Sequence, residues 1–183
     1  MKWNSILIFC LVLPFFAFSK ITPYLSVGVG YHELDFNSYQ TINYNNLSLH
    51  GTTESISFGA ISYFSNETFL SSEFNFQFSQ ANRGIYGNYY GEKIKVNNSY
   101  GVAVLFGKTF LDDSYSLYTK LGYQKTEIDY GSYSEDKYIG FRYGLGGQYH
   151  LNGSTAIGLE MLFTDFNNNL TEQLFMGRLV QYF

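Results

Sequence analysis

Residues 138–151 alternate without a fault: Ile139, Phe141, Tyr143, Leu145, Tyr149 and Leu151 fall on one parity, and Gly140, Arg142, Gly144, Gly146, Gln148 and His150 on the other. A period of two places successive side chains on opposite faces of an extended backbone, so this stretch reads as a β-strand. Seven further stretches carry the same pattern, at 23–32, 55–64, 68–78, 99–110, 116–126, 155–164 and 173–183. On each, one parity holds bulky apolar residues, such as Leu25, Val27 and Val29, or Phe74, Phe76 and Phe78. The opposite parity is polar and rich in glycine, with Gly28, Gly30, Gly101, Gly122, Gly140, Gly144, Gly146 and Gly158.

Eight strands with one greasy face can close on themselves in two ways. A soluble barrel turns its apolar face inward and carries charge outside, whereas a barrel in lipid does the reverse. The interior of an eight-stranded barrel is only wide enough for side chains to fill, so the glycine-bearing face suits the inside and the Phe, Tyr, Leu and Val face suits hydrocarbon. The charges follow the same division: Glu73, Lys120, Arg142, Glu160 and Arg178 all lie on the glycine parity. A lipid-facing Lys or Arg at mid-depth costs about 2–4 kcal/mol. An interior ion-pair network of these five is therefore expected, with Arg142, Glu160 and Arg178 linking the last three strands and holding register. Lys108, on the apolar parity beside a short turn, is expected to snorkel to the interface.

The connections support the same fold. Those at 65–67, 111–114 and 152–154 are tight, and Asn152-Gly153 is a strong hairpin signal. The intervening ones, at about 33–54, 79–98, 127–137 and 165–172, are longer. Short turns at one end and long loops at the other mark an outer-membrane barrel, turns in the periplasm and loops outside. The loops carry tyrosines among Asn, Ser and Gly, and Tyr86, Tyr89 and Tyr90 are the candidates for contact with a ligand, because tyrosine offers area and a polar tip at low entropic cost.

Residues 1–19 differ from the rest. Lys2 precedes an apolar run from Ile6 to Phe18, broken by Pro14 and closed by Ala17-Phe18-Ser19. That is the pattern of a cleaved signal peptide, leaving residues 20–183 as one barrel domain exported to the outer membrane of a Gram-negative cell. Thirteen residues with a proline fall short of the roughly 20 that a spanning helix requires. Cleavage removes Lys2 and the one cysteine, Cys10, leaving ten Lys and Arg against fifteen Asp and Glu. A mildly acidic chain without a basic cluster offers no footprint for nucleic acid, and a chain without cysteine has neither disulfide nor thiolate metal site.

The leader, the opening Thr22-Pro23-Tyr24-Leu25-Ser26-Val27-Gly28-Val29-Gly30-Tyr31, the eight strands and the terminal Phe183 together resemble the opacity-type and OmpA-like group of small outer-membrane barrels. The likeness covers the whole chain after the leader. It implies an all-β, antiparallel up-and-down transmembrane barrel among outer-membrane lipid and lipopolysaccharide. Phe183, with Leu179 and Phe175, is similar to the terminal signal read by the barrel-assembly machinery, although Gln181 stands where that signal usually has an aromatic residue. Members of the group are anchors, adhesins, narrow pores and occasional lipid-modifying enzymes, and the fold alone does not choose among them. The leading expectation is a non-enzymatic surface barrel working through its loops, followed by a narrow porin and then by a lipid A or phospholipid hydrolase. No cofactor is expected. His32 and His50, placed at or in the first long loop, and His150, near a turn, form no close histidine–serine motif and too few donors for a metal.

Overall fold

The structure is a computed structural model that describes residues 21–36, 47–64, 67–84, 93–111, 113–130, 135–166 and 170–183. Its elements are β1 (Ile21–Phe36), β2 (Leu47–Tyr63), β3 (Thr68–Ser79), β4 (Asn82–Gly84), β5 (Lys93–Phe110), β6 (Tyr115–Asp129), β7 (Glu135–Asn152), β8 (Thr155–Phe166) and β9 (Leu170–Tyr182). Apart from β3 and β4, neighbours in sequence pair antiparallel, β1 pairs β9, and β3 pairs β5, so the sheet closes on itself. Strand β4 prolongs the line of β3 against β5 after a two-residue break, which makes eight staves from nine elements. Closure leaves no open edge, and every stave finds its backbone partners within the sheet, the condition for strands in hydrocarbon.

The faces divide as the alternation requires. Leu25, Val27, Phe58, Phe76, Leu121, Phe141, Leu145, Leu159 and Phe175 are exposed on the outer surface, whereas Glu73, Lys120, Arg142, Glu160 and Arg178 are buried within. On β1 the outward apolar series runs from Ile21 to Tyr31, a rise of roughly 33 Å along a strand. At a tilt of about 40° this spans about 25 Å of height, the thickness of the apolar band of such barrels. Lys108 points outward near the turn end, 3.7 Å from Glu67 and 5.6 Å from the ring centre of Phe110.

Packing inside is close enough that some positions accept no side chain at all. A Cβ on Gly144 would lie 2.1 Å from the Met161 carbonyl oxygen, and one on Gly146 would lie 2.3 Å from the Tyr118 ring. The floor, toward the turns, is a cluster of Tyr24, Ile61, Phe69, Leu105, Tyr118, Val180 and Tyr182. His150 stands beside it, 2.8 Å from the Ser116 hydroxyl and stacked on Tyr182.

The strands run further toward the loops than periodicity of the greasy face suggests. Residues 33–36, 47–54, 93–98, 127–129, 135–137, 165–166 and 170–172, all assigned to loops by the sequence reading, are strand. In this upper section the polarity inverts. Leu34, Phe36, Leu49, Ile94, Val96, Ile128, Phe166 and Leu170 turn inward and form one buried cluster. Glu33, Asp35, His50, Glu54, Lys95, Lys125, Glu127, Lys137 and Asp165 share the outward parity of the apolar belt below. The upper section is thus a collar built like a soluble barrel, standing on a section built for lipid.

Candidate functional site: two ion clusters and a serine–histidine–glutamate relay in the barrel interior

Each interior charge arrives on the inward parity of its strand, and its reach depends on glycines beside it. In register, Gly28 and Gly158 lie across from Arg178 on its two sides, Ser55 lies beyond Gly28, and Gly144 faces Lys120. Arg178 can therefore cross the lumen. Its Nη2 donates to Glu73 Oε2 at 2.5 Å and to Ser26 Oγ at 2.5 Å, and its Nη1 donates to Glu160 Oε1. Lys120 Nζ lies 2.6 Å from Glu73 Oε1 and 3.2 Å from Glu160 Oε2. The Tyr24 hydroxyl donates to Glu73 at 3.0 Å, and that of Tyr118 to Glu160 at 2.8 Å. Two cations and two carboxylates thus form a neutral set in which each carboxylate accepts from both cations and from one phenol. Burial of charge is tolerable only with such pairing and added hydrogen bonds.

Arg142 does not join this set. It was expected beside Glu160, but the register puts Arg142 opposite Thr164 and Thr164 opposite Glu172, whereas Glu160 pairs with Gly146, four residues nearer the turns. Arg142 Nη2 accordingly donates to Glu172 Oε2, and its Nε to Thr164 Oγ1 at 2.8 Å. A second cluster thus sits above the first, between it and the apolar collar. Pairing offsets of four residues are invisible in alternation, which fixes faces but not register.

Glu172 has a further partner that sequence reasoning missed. His32 Nδ1 lies 3.0 Å from Glu172 Oε1, and His32 Nε2 lies 2.6 Å from Ser79 Oγ. His32, on the inward parity of the first strand as the alternation of 23–32 places it, is buried, and its partner on β2 is Gly51. Ser79 is partly exposed and also accepts from the Ala81 amide at 3.0 Å. Serine to imidazole to carboxylate is the arrangement that activates a hydroxyl as nucleophile. The three residues are 47 and 140 positions apart, so no local motif announces them.

Of the other candidate residues, Phe183 ends the chain beside β1, its amide donating to the Pro23 carbonyl at 3.0 Å and its ring 73% exposed on the outer surface. Tyr86, Tyr89 and Tyr90 lie outside the described residues.

No protein-family model and no curated protein matches the chain. Among solved structures, it is similar to the attachment invasion locus protein Ail of Yersinia pestis, in complex with the heparin analogue sucrose octasulfate, at 16% identity, covering 88% of this chain and 99% of that one with a TM-score of 0.54. It is also similar to Neisserial surface protein A, at 12% identity, covering 90% of this chain and all of that one (100%) with a TM-score of 0.58. Identities this low carry fold and nothing finer. With the closed antiparallel sheet, the outward apolar belt and the paired interior charges, they show that the chain has the fold of the small eight-stranded outer-membrane β-barrels.

Proposed function

We propose that this protein is a closed, non-conducting barrel of the Gram-negative outer membrane, exported through a cleaved leader, with a structural and adhesion-type role exercised through its extracellular loops. The carrying observation is the filled interior: an aromatic floor, the neutral cluster of Glu73, Lys120, Glu160 and Arg178, the Arg142–Glu172 cluster and the apolar collar follow one another along the lumen. Such stacking supports a plug over a porin. The collar supports a surface role as well, because it raises the loop ends above the apolar belt. Loop contact of this kind requires no chemistry from the wall. Attachment, as in the name of Ail, belongs to that protein; here it adds weight to the adhesion reading. Phe183 would serve the assembly machinery, and lipopolysaccharide would surround the belt.

Single-channel recording of the folded chain in planar bilayers tests the plug. The expected result is a flat baseline at all voltages below bilayer breakdown; steady, reproducible openings would instead make the protein a narrow pore. The loop reading has its own test. Bacteria displaying the chain are counted on cultured epithelial monolayers, and replacing Tyr86, Tyr89 and Tyr90 together by Ser should lower attachment about tenfold, the scale of one lost contact residue at about 1.4 kcal/mol. Equal attachment by the triple variant would remove these tyrosines from the site.

A further inference from the structure

Three polar atoms of the lumen have no hydrogen-bond partner among the described residues: Asn75 Oδ1 on β3, Gln124 Oε1 on β6 and Arg142 Nη1 on β7. All three residues are buried, so bulk solvent does not reach them. Leaving such an atom unpaired costs the full desolvation of its group, which exceeds the net gain of an ordinary hydrogen bond. The rest of the lumen is closely paired, and three exceptions at one level call for a common partner.

The register brings the two oxygens together. Gly101 on β5 pairs with Asn75 on one side and with Gln124 on the other. With no side chain between them, both amides lean over the same strand: a Cβ on Gly101 would lie 2.3 Å from Gln124 Oε1 and 3.1 Å from Asn75 Oδ1. Two acceptors thus meet at one spot without a donor. Arg142 stands on the adjoining stave. It pairs with Gly122, two residues from Gln124 on the same inward face, so Arg142 and Gln124 are diagonal neighbours, about 7–8 Å apart. Its guanidinium is held through Nε by Thr164 and through Nη2 by Glu172, which leaves Nη1 as a donor. Turning the Gln124 amide end for end would not help, because its nitrogen already donates to Gln77 Oε1 at 3.1 Å. An ion does not fit either. Arg142 is balanced by Glu172, and Lys120 and Arg178 by Glu73 and Glu160, so an added charge would be buried unpaired.

We propose that the lumen carries a binding site for one water molecule beside Gly101, which donates to Asn75 Oδ1 and Gln124 Oε1 and accepts from Arg142 Nη1. Two donations and one acceptance satisfy all three atoms and match the roughly three hydrogen bonds that a buried water makes. Gln124 lies on β6 between Lys120 of the lower ion cluster and Ile128 of the apolar collar, so the site occupies the level between them. The bound water ties β3, β6 and β7 across the glycine and joins the Arg142–Glu172 cluster to the amides of Asn75, Gln77 and Gln124. The plug is then one hydrogen-bonded body on this side of the lumen, and solvent is one of its parts.

The test uses the full chain folded in detergent micelles, with foldedness read by gel mobility before and after heating. Water-selective NMR of the nitrogen-15-labelled protein should give cross-peaks from the side-chain amide protons of Asn75 and Gln124 to water, with the sign of a water that tumbles with the protein. A crystal structure should place one solvent peak about 2.7–3.2 Å from all three atoms. Oxygen-17 relaxation dispersion reads the residence time, which Asn75→Leu, keeping the bulk and removing one acceptor, should shorten about fivefold, the factor of one ordinary hydrogen bond. The proposal is overturned if folded wild type gives no such cross-peaks, if the Asn75 side-chain nitrogen donates directly to Gln124 Oε1 with no solvent at the site, or if Asn75→Leu leaves the residence time unchanged. The first two outcomes are read on wild type alone, so they decide the matter even where the variant does not fold.

Discussion

Replacing Arg178 by Ala should lower the unfolding free energy by about 3–5 kcal/mol, the largest loss expected from any single truncation in the barrel. Arg178 bridges Glu73 and Glu160 from opposite sides of the lumen and also holds Ser26, so its removal leaves two buried carboxylates to share Lys120. Nothing nearby can substitute, because Arg142 is committed to Glu172 in the cluster above. Urea titration of the refolded protein in lipid vesicles, followed by tryptophan-free readouts such as gel mobility or circular dichroism, gives the difference. The cost belongs to the unpaired charge and not to the pairing as such. Converting Glu73, Lys120, Glu160 and Arg178 together to Met should therefore cost much less than Arg178→Ala alone, since apolar replacement of a complete buried set is often near neutral. If the single truncation leaves the midpoint unmoved, the cluster is not holding the staves together.

A charge on the outer face should be almost as harmful, and its effect should depend on height. Leu145 lies at the centre of the outward apolar series of β7, between Tyr143 and Gly147, and is 64% exposed. Leu145→Arg should destabilise the barrel in vesicles by about 2–4 kcal/mol. The same change at Gln173, on the outward parity of β9 but above Phe175, should fall within about 0.5 kcal/mol of wild type. The same urea titration separates the two. Equal effects at both positions would mean that the apolar belt does not meet hydrocarbon where the outward series places it.

The alternation from Ile139 to Leu151 was enough to read both faces of the sheet, because period two leaves no freedom in which side chains share a face. The same habit of reading misplaced the strand ends. It stopped β6 at Thr126 because the outward residues after Tyr123 cease to be apolar, yet Ile128 continues the strand with the apolar residue on the other parity. A rule that follows one greasy face ends where the solvent changes, not where the hydrogen bonds do. Register is a property of pairs of strands, so the partner of Arg142 could not be read from any one of them. The relay was further out of reach, since His32, Ser79 and Glu172 come from three strands whose adjacency depends on barrel closure between β1 and β9 and on the pairing of β2 with both β1 and β3.

The level at which polarity inverts also fixes how the molecule floats. Were the barrel to sink by a few ångströms, Glu33, Glu54 and Lys137 would enter hydrocarbon; were it to rise, Tyr31, Phe78 and Ile139 would be lifted into water. Opposing penalties on every stave act as a waterline that admits little bobbing or tilting. Whatever the loops meet, they meet at a constant distance from the cell.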